Sequence, residues 1–366
     1  MCQLLLSLTT RILPDGHITQ AEYFHSTTGN DVIKADKQRK EIPHMTLDLL
    51  VPHYNETTEE VSNLLDSLAT QQNVDFNDIK VIIANDGPDC AKLKFREYPF
   101  EVKIVDAPKG GVSATRNFAL KHSVADYVMF CDADDMFYSN VGIFLILQEA
   151  SKSKFDYMMS TFIEETRNPM TNEVVYVPHE FDQTFVHGKV IRRDFLKKNK
   201  IKWNPKLTIH EDSYFNILCI RMAKEAKHCP VPFYLWKWRD ASVCRHDPKY
   251  ILKTYSNMLE SSTALVKQFI ERNRLKDAAE IAVQMIIDSY LTMNKREWLD
   301  QENKEYRDNT EKRFAKYWTD FKDLWDGTPE NVRDSIIVAV KNRMFQEGVI
   351  LEKITFDDWI KHIQSL

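Results

Sequence analysis

The sequence predicts an α/β fold, a mostly parallel sheet flanked by helices, followed by an α-helical C-terminal region. Two observations predict the sheet. Between Thr46 and Cys131 short apolar runs alternate with helix-spaced ones, and each short run ends at a polar cluster. The third observation is a change of period after Asp247, beyond which apolar residues recur at helical spacing.

Leu47, Leu49, Leu50 and Val51 make the first strand, which stops at Pro52. After the turn His53-Tyr54-Asn55-Glu56, the residues Val61, Leu64, Leu65 and Leu68 fall on one helix face. Lys80 to Ala84 is a second strand, closed by the turn signal Asn85-Asp86-Gly87-Pro88. Val102 to Val105 is a third, Gly110-Gly111 opens a helix from about Ser113 to His122, and Tyr127 to Cys131 is a fourth strand. Further on, Tyr157 to Phe162 and Val174 to Val177 can pair around the turn Asn168 to Asn172. Asp247-Pro248 reads as an N-cap with proline at the first helical position. Ile251, Tyr255, Met258, Leu259, Leu265, Val266 and Phe269 then share one stripe, and Ile281, Met285, Ile286 and Tyr290 another. The organisation expected is an N-terminal extension over 1–45, an α/β domain over 46–248 and a helical region over 249–366.

Composition excludes several classes. With 43% hydrophobic and 28% charged residues, the 366-residue chain is not intrinsically disordered. A formal charge of -5 excludes a polybasic coat for nucleic acid, although His187 to Lys202 carries seven Lys/Arg against the single acid Asp194. Residues 250–366 carry 18 Lys/Arg and 20 Asp/Glu, the mixed pattern of packed helices with a solvated face. That region could pair two copies as a homodimer. The six cysteines form no Cys-x-x-Cys pair, which reads as reduced thiols. No run approaches the roughly 20 apolar residues of a transmembrane helix, and Met1 to Leu8 lacks the features of a signal peptide. A soluble, cytoplasmic protein is expected.

The clusters that follow the strands carry the chemistry, because ligands of parallel sheets gather at the strands' carboxyl ends. Asp132, Asp134 and Asp135 crowd three carboxylates into four residues, and such a group repels itself unless a cation or donors offset it. A hard divalent ion, manganese or magnesium, suits that chemistry, with substrate phosphates completing its shell. A solvated acidic turn is the plainer alternative. Gly110-Gly111 before a helix lets backbone approach an anion, yet it matches neither a P-loop nor a dinucleotide fingerprint. His210-Glu211-Asp212 precedes an apolar helical run, where the acids can serve as first-turn residues or as a general base.

Taken in order, LDLLVPHYNE, IIANDGPD, KGGVSATRNFAL, MFCDADD, GKVIRRDFL and HEDSYF resemble the family 2 inverting glycosyltransferases of the GT-A fold, over roughly Leu47 to His246. The resemblance implies a nucleotide-sugar donor, most often a uridine diphosphate sugar. It implies that Pro52, Tyr54 and Glu56 hold base and ribose, that Asp86 accepts a hydrogen bond from the base, and that Lys109, Gly110, Arg116 and Asn117 lie near the donor. Asp132 and Asp134, with Ala133 between them, would be the DxD pair, with Asp134 the more direct metal ligand. Asp212 would be the catalytic base, Arg245 would meet a phosphate and His246 would be a further metal ligand. Glu211, His210 and Trp203 are expected beside the acceptor.

Two departures stand out: His53 takes the place of a small residue, and Ile209-His210 replaces a more usual glycine before the Glu-Asp pair. No Gln-x-x-Arg-Trp run follows Asp212, which argues against a processive polysaccharide synthase. A glycan or lipid-linked acceptor is the leading expectation. Lysines and arginines interleaved with Phe195 and Trp203 raise glycosylation of a modified base in DNA as a second reading. A nucleotidyltransferase and an inactive binding protein of the same fold are the remaining alternatives.

Overall fold

The computed structural model describes residues 45–88, 93–168, 170–239, 247, 249–346, 348–351 and 354–366. Residues 1–44 of the expected N-terminal extension, and the sites expected at Arg245 and His246, lie outside these residues. The described chain divides into two compact units, one of residues 45–208 and 215–239, the other of residues 209–214 and those from 247 to 366.

The larger unit is built on one nine-stranded sheet. Its first part runs β1 (Leu47–His53), α1 (Thr58–Ala69), β2 (Ile79–Asn85), β3 (Glu101–Asp106), α2 (Gly111–His122) and β4 (Tyr127–Phe130). These strands are all parallel and lie in the spatial order β3-β2-β1-β4. The chain therefore moves outward from β1 on one side and returns to place β4 on the other, a topological switch point. Helix α1 starts where expected because Thr57 and Glu60 form a capping box, Glu60 N donating to Thr57 Oγ1 at 3.2 Å and Thr57 N to Glu60 Oε2 at 2.7 Å.

Pro52 sits in a central strand, a place proline normally avoids because it cannot donate to the ladder. The register explains the exception. Leu50 is the last β1 residue paired with β4, and its carbonyl accepts from Cys131 N at 3.1 Å. Pro52, two residues on, turns its nitrogen toward the same side, where β4 has already left the sheet.

Beyond β4 the sheet departs from the parallel expectation. The elements are β5 (Met136–Phe137), α3 (Gly142–Lys152), β6 (Tyr157–Arg167), β7 (Val174–His179), β8 (Lys189–Arg192), α4 (Arg193–Lys198) and β9 (Ala226–Trp236). β4 pairs antiparallel with β8, β8 with β6 and β5 with β9, whereas β6 and β9 are parallel. The sheet as a whole is mixed. β6 and β7 form a hairpin around the expected turn, but Val174 to Val177 pair with Glu164 to Arg167, whereas Tyr157 to Met159, expected among their partners, pair with β8 and β9. Its core gathers Leu47, Leu49, Val51, Leu64, Leu68, Val81, Ile83, Met129, Phe155 and Phe233, the inward residues of the strands and of α1. Cys131, Cys219 and Cys229 are buried free thiols.

Helix α5 (Glu211–Met222) is shared between the two units, and the smaller unit is otherwise helical. It contains α6 (Tyr250–Glu271), α7 (Leu275–Met293), α8 (Arg296–Leu299), α9 (Lys304–Asp326), α10 (Glu330–Gln346) and α11 (Phe356–Gln364). Helix α6 opens later than Asp247-Pro248 suggested, with Lys249 at the N-cap. Asp247 instead builds the preceding turn, its Oδ1 accepting from Lys249 N at 2.9 Å. Of the expected stripes, Tyr255, Met258, Leu259, Leu265, Val266 and Phe269 of α6 and Met285, Ile286 and Tyr290 of α7 are buried, while Ile251 and Ile281 at their starts are half-buried. No helix among the described residues is long and apolar enough to cross a membrane.

One buried acid makes this unit's stability depend on pH. Asp288 of α7 accepts from Gln284 Nε2 at 3.0 Å and lies 3.8 Å from Arg343 of α10, yet burial pushes its carboxyl from 3.8 up to about 7. The folded unit then holds a proton that the unfolded chain has released, so stability falls as pH rises from about 4 to 7 and is level above that. Hydrogen-exchange protection of α7 amides, corrected for intrinsic rates, is expected to be higher at pH 5 than at pH 7.5. Asp288→Asn should flatten the difference.

Candidate active site

The switch point brings the three expected clusters together. β1 delivers His53 to Glu56, β2 beside it delivers Asn85 and Asp86 through the register His53↔Asn85, and β4 on the other side delivers Asp132 to Asp135. The β1–β2 rim is drawn tight, because a Cβ added at Gly87 would lie 1.6 Å from the Tyr54 carbonyl oxygen. Only glycine fits there. Asp86 faces the start of α2, where its Oδ2 accepts from Gly111 N at 2.7 Å, Gly110 N at 3.3 Å and Thr115 Oγ1 at 3.1 Å. It thus caps the helix that Gly110 and Gly111 open, while Lys109 is exposed beside it. His53 fills the corner with Nδ1 2.9 Å from Asn85 Oδ1 and Nε2 2.9 Å from the Glu56 carbonyl. Tyr54 stands out into solvent, 59% exposed, and its amide donates to Glu56 Oε2 at 2.9 Å.

The acid turn is held from three directions. Arg116 of α2, almost fully buried, donates to Asp132 Oδ1 at 2.9 Å and lies 4.5 Å over the Trp203 ring. Arg239, just after β9, donates to Asp134 Oδ2 at 2.7 Å and lies within 3.8 Å of Glu56 and 3.9 Å of Glu60. Asp135 turns inward. It accepts from Tyr234 Oη at 2.6 Å and from Lys237 N at 2.9 Å, with His187 Nδ1 3.6 Å away. Ala133 is buried between the acids.

Charge differs along the turn for reasons its neighbours supply. Burial pushes the Asp132 carboxyl up, but the charges of Arg116 and His187 outweigh it and hold the group below the usual range. Burial and the Asp132 charge raise Asp134. Burial, with Asp134 and Asp132 adding repulsion, raises Asp135 well above the usual range. Asp134 and Asp135 are thus pushed toward their protonated forms, and a cation bound at the turn would favour their charged ones. Asp132, Asp135 and His187 each offer a ligand atom within 4.8 Å of the others. Sequence spacing pointed to Asp132 and Asp134 and missed His187, Tyr234 and Arg239. No local pattern signals them, since Tyr234 meets the turn from about a hundred residues away.

Other expected site residues have different places. Trp203 was expected beside the acceptor but is 1% exposed. Its ring stacks on Phe215 at 4.0 Å and its backbone is pinned by Asn117, which donates to Trp203 O at 2.9 Å and accepts from Trp203 N at 3.0 Å. Lys189 and Phe195 are buried too, so the basic and aromatic residues of 187–202 do not alternate on a surface. In the smaller unit, Glu211 and Asp212 form the first turn of α5 and are half-buried. His210 precedes them with φ +61, the left-handed conformation that glycine adopts freely and other residues at a cost of roughly 1–2 kcal/mol. Its carbonyl accepts from Ser261 Oγ at 2.9 Å, and burial lowers its imidazole to about 4, so the ring is neutral at pH 7.

Parallel strands, a switch point and paired aspartates between two arginines define a nucleotide-sugar transferase fold of the GT-A type. Residues 48–215 match the family described as glycosyl transferase family 2, and the chain carries a domain of that family. It is 24% identical over 213 residues to the uncharacterized glycosyltransferase EpsJ of Bacillus subtilis, covering 52% of this chain and 60% of that protein. It is 27% identical over 138 residues to the minor teichoic acid biosynthesis protein GgaB of the same organism, covering 36% of this chain and 13% of that one. The chain thus spans less than two thirds of the length of either relative. S. aureus TarS 1-349, crystallised in complex with UDP-GlcNAc, shares the fold with a TM-score of 0.57 at 17% identity, over 83% of this chain and 92% of that one.

Two glycines separate crowding from backbone strain. Gly87→Ala is expected to cost about 3 kcal/mol from overlap with the Tyr54 backbone. Gly111 has φ +77 with no atom within 4 Å of an added Cβ, so Gly111→Ala should cost only about 1 kcal/mol. Denaturant unfolding of the two variants checks the order.

Proposed function

We propose that this protein is a metal-dependent, inverting glycosyltransferase that moves a sugar from a nucleotide diphosphate, a uridine diphosphate sugar, to an acceptor hydroxyl. The observation that carries the reading is the acid turn at the switch point, where Asp132 faces Arg116 and Asp134 faces Arg239 in a family 2 domain. The TarS structure with UDP-GlcNAc supports uridine as the base.

Asp132 and Asp134 are the residues that would hold a manganese or magnesium ion. Their donor chemistry fits, and the Arg239 guanidinium on Asp134 marks a position that already attracts positive charge. Such an ion, when bound, supplies charge stabilisation to the departing diphosphate. Tyr54, Glu56 and Pro52 flank the base and ribose. Asp86, whose Oδ2 caps α2, has Oδ1 for a base N–H. Arg239 and Lys109, with Arg245 further on, meet the phosphates, and His246 is a further ligand candidate. Asp212 takes the acceptor proton as the hydroxyl oxygen bonds to the anomeric carbon. The bond from that carbon to the diphosphate oxygen breaks on the opposite face, so one displacement inverts the configuration and needs no enzyme nucleophile.

The acceptor proposed is a cell-surface glycan or a lipid-linked precursor of one, supported by the teichoic acid biosynthesis protein among the relatives. Glu211 and the neutral His210 flank it. The DNA reading loses its support because Trp203 and Phe195 are core residues.

A donor-hydrolysis screen across nucleotide sugars, with and without manganese, tests the proposal. Uridine diphosphate sugars should be cleaved only with the metal, and cleavage of none of them would overturn it. Asp212→Asn should lower turnover by about 10²–10⁴-fold while UDP binding persists. Full turnover in that variant would remove Asp212 from the base role.

A further inference from the structure

We propose that Tyr234 is a positioning residue for the acid turn, its hydroxyl joining Asp132 to Asp135 and so setting the direction in which Asp132 and Asp134 present their carboxylates. This rests on the reading of those two aspartates as cation ligands.

The phenol uses both of its capacities on the turn. It donates to Asp135 Oδ2 at 2.6 Å and accepts from the Asp132 amide at 3.0 Å, closing a ring across the four residues. The turn's own backbone bond, Asp135 N donating to Asp132 O at 3.2 Å, joins the same two residues. The tyrosine itself has little freedom. It is fully buried in β9, pairs in register with Phe137 of β5 and Phe162 of β6, and stacks on the His187 ring at 5.1 Å with 20° between the planes. Lys237 N, three residues along the same segment, fixes Asp135 Oδ1 at 2.9 Å. With both Asp135 oxygens drawn inward by β9, the preceding residue faces the other way, and Asp134 accordingly meets Arg239 at the rim. Groups behind a ligand set its orientation and its affinity for a metal, and their loss costs about 10–100-fold.

Tyr234→Phe removes only the hydroxyl and keeps the stacked ring. Manganese affinity, read by electron paramagnetic resonance in the presence of UDP, should weaken about 10–100-fold relative to wild type. Tyr127→Phe is the control. Tyr127 is another buried tyrosine, whose hydroxyl accepts from Phe155 N at 3.3 Å away from the turn, and its loss should lower the thermal midpoint without altering manganese affinity. Should Tyr234→Phe not fold, Asp135→Asn tests the same link, since Tyr234 and Lys237 N meet different oxygens and the variant sets an NH2 donor against one of them, and the same weakening is expected. Affinity within twofold of wild type in the folded variant, or an equal loss in Tyr127→Phe, overturns the proposal. A wild-type chain that binds no manganese overturns it as well. If wild type binds manganese and UDP but cleaves no nucleotide sugar, the transferase reading fails while the affinity comparison still decides the role of Tyr234.

Discussion

Three carboxylates within four residues at the end of a buried strand repel one another, and most of the larger unit's arrangement around β4 answers that repulsion. Each acid has its own partner. Arg116 reaches Asp132 from α2, Arg239 reaches Asp134 from beyond β9, and Tyr234 with Lys237 N takes Asp135. The partners differ in how firmly they hold. Arg116 is buried beneath Trp203 and cannot leave without exposing an uncompensated charge. Arg239 is about one third exposed and shared among three carboxylates, so its contacts are weak individually and open to exchange. An exchangeable cation at the rim and fixed donors behind it suit a site that must admit a charged substrate.

The mixed sheet follows from the same need. A purely parallel sheet would place every later strand end on one rim, with its crossovers covering both faces. Here β8 runs against β4 and β6 against β8, so β6 and its parallel neighbour β9 again run in the direction of β4, and the segment following β9 arrives beside the acid turn. Parallel strands gather the loops that follow them at the switch point. The later strands carry Tyr234, Lys237 and Arg239 to it.

The helical unit is held differently. Its centre combines apolar packing of α6, α7 and α9 with buried polar groups, among them Asp288 and the hydroxyl pair Ser262 and Tyr317 at 2.8 Å. Ser261 of α6 fixes the His210 carbonyl, so the turn before Glu211 and Asp212 is built by this unit. His210 with a positive φ stands where a glycine is more usual, and buried contacts keep it there.

Much of this was legible in the sequence, because periodicity and turn chemistry are local. To within a residue, the strand ends at His53, Asn85 and Phe130 follow from the order of apolar and polar residues, as do the turn between β6 and β7, the helical tail and the polar clusters at one rim. What the sequence by itself determined was which segments become strands and helices and where acids concentrate. Tertiary structure alone decided which acid faces which partner. Trp203 became core because the Asn117 pair and Phe215 enclose it, and Asp135 was drawn inward by a tyrosine far away in the chain. Direction and burial of a side chain depend on contacts made across the fold, and those contacts leave no trace in local spacing.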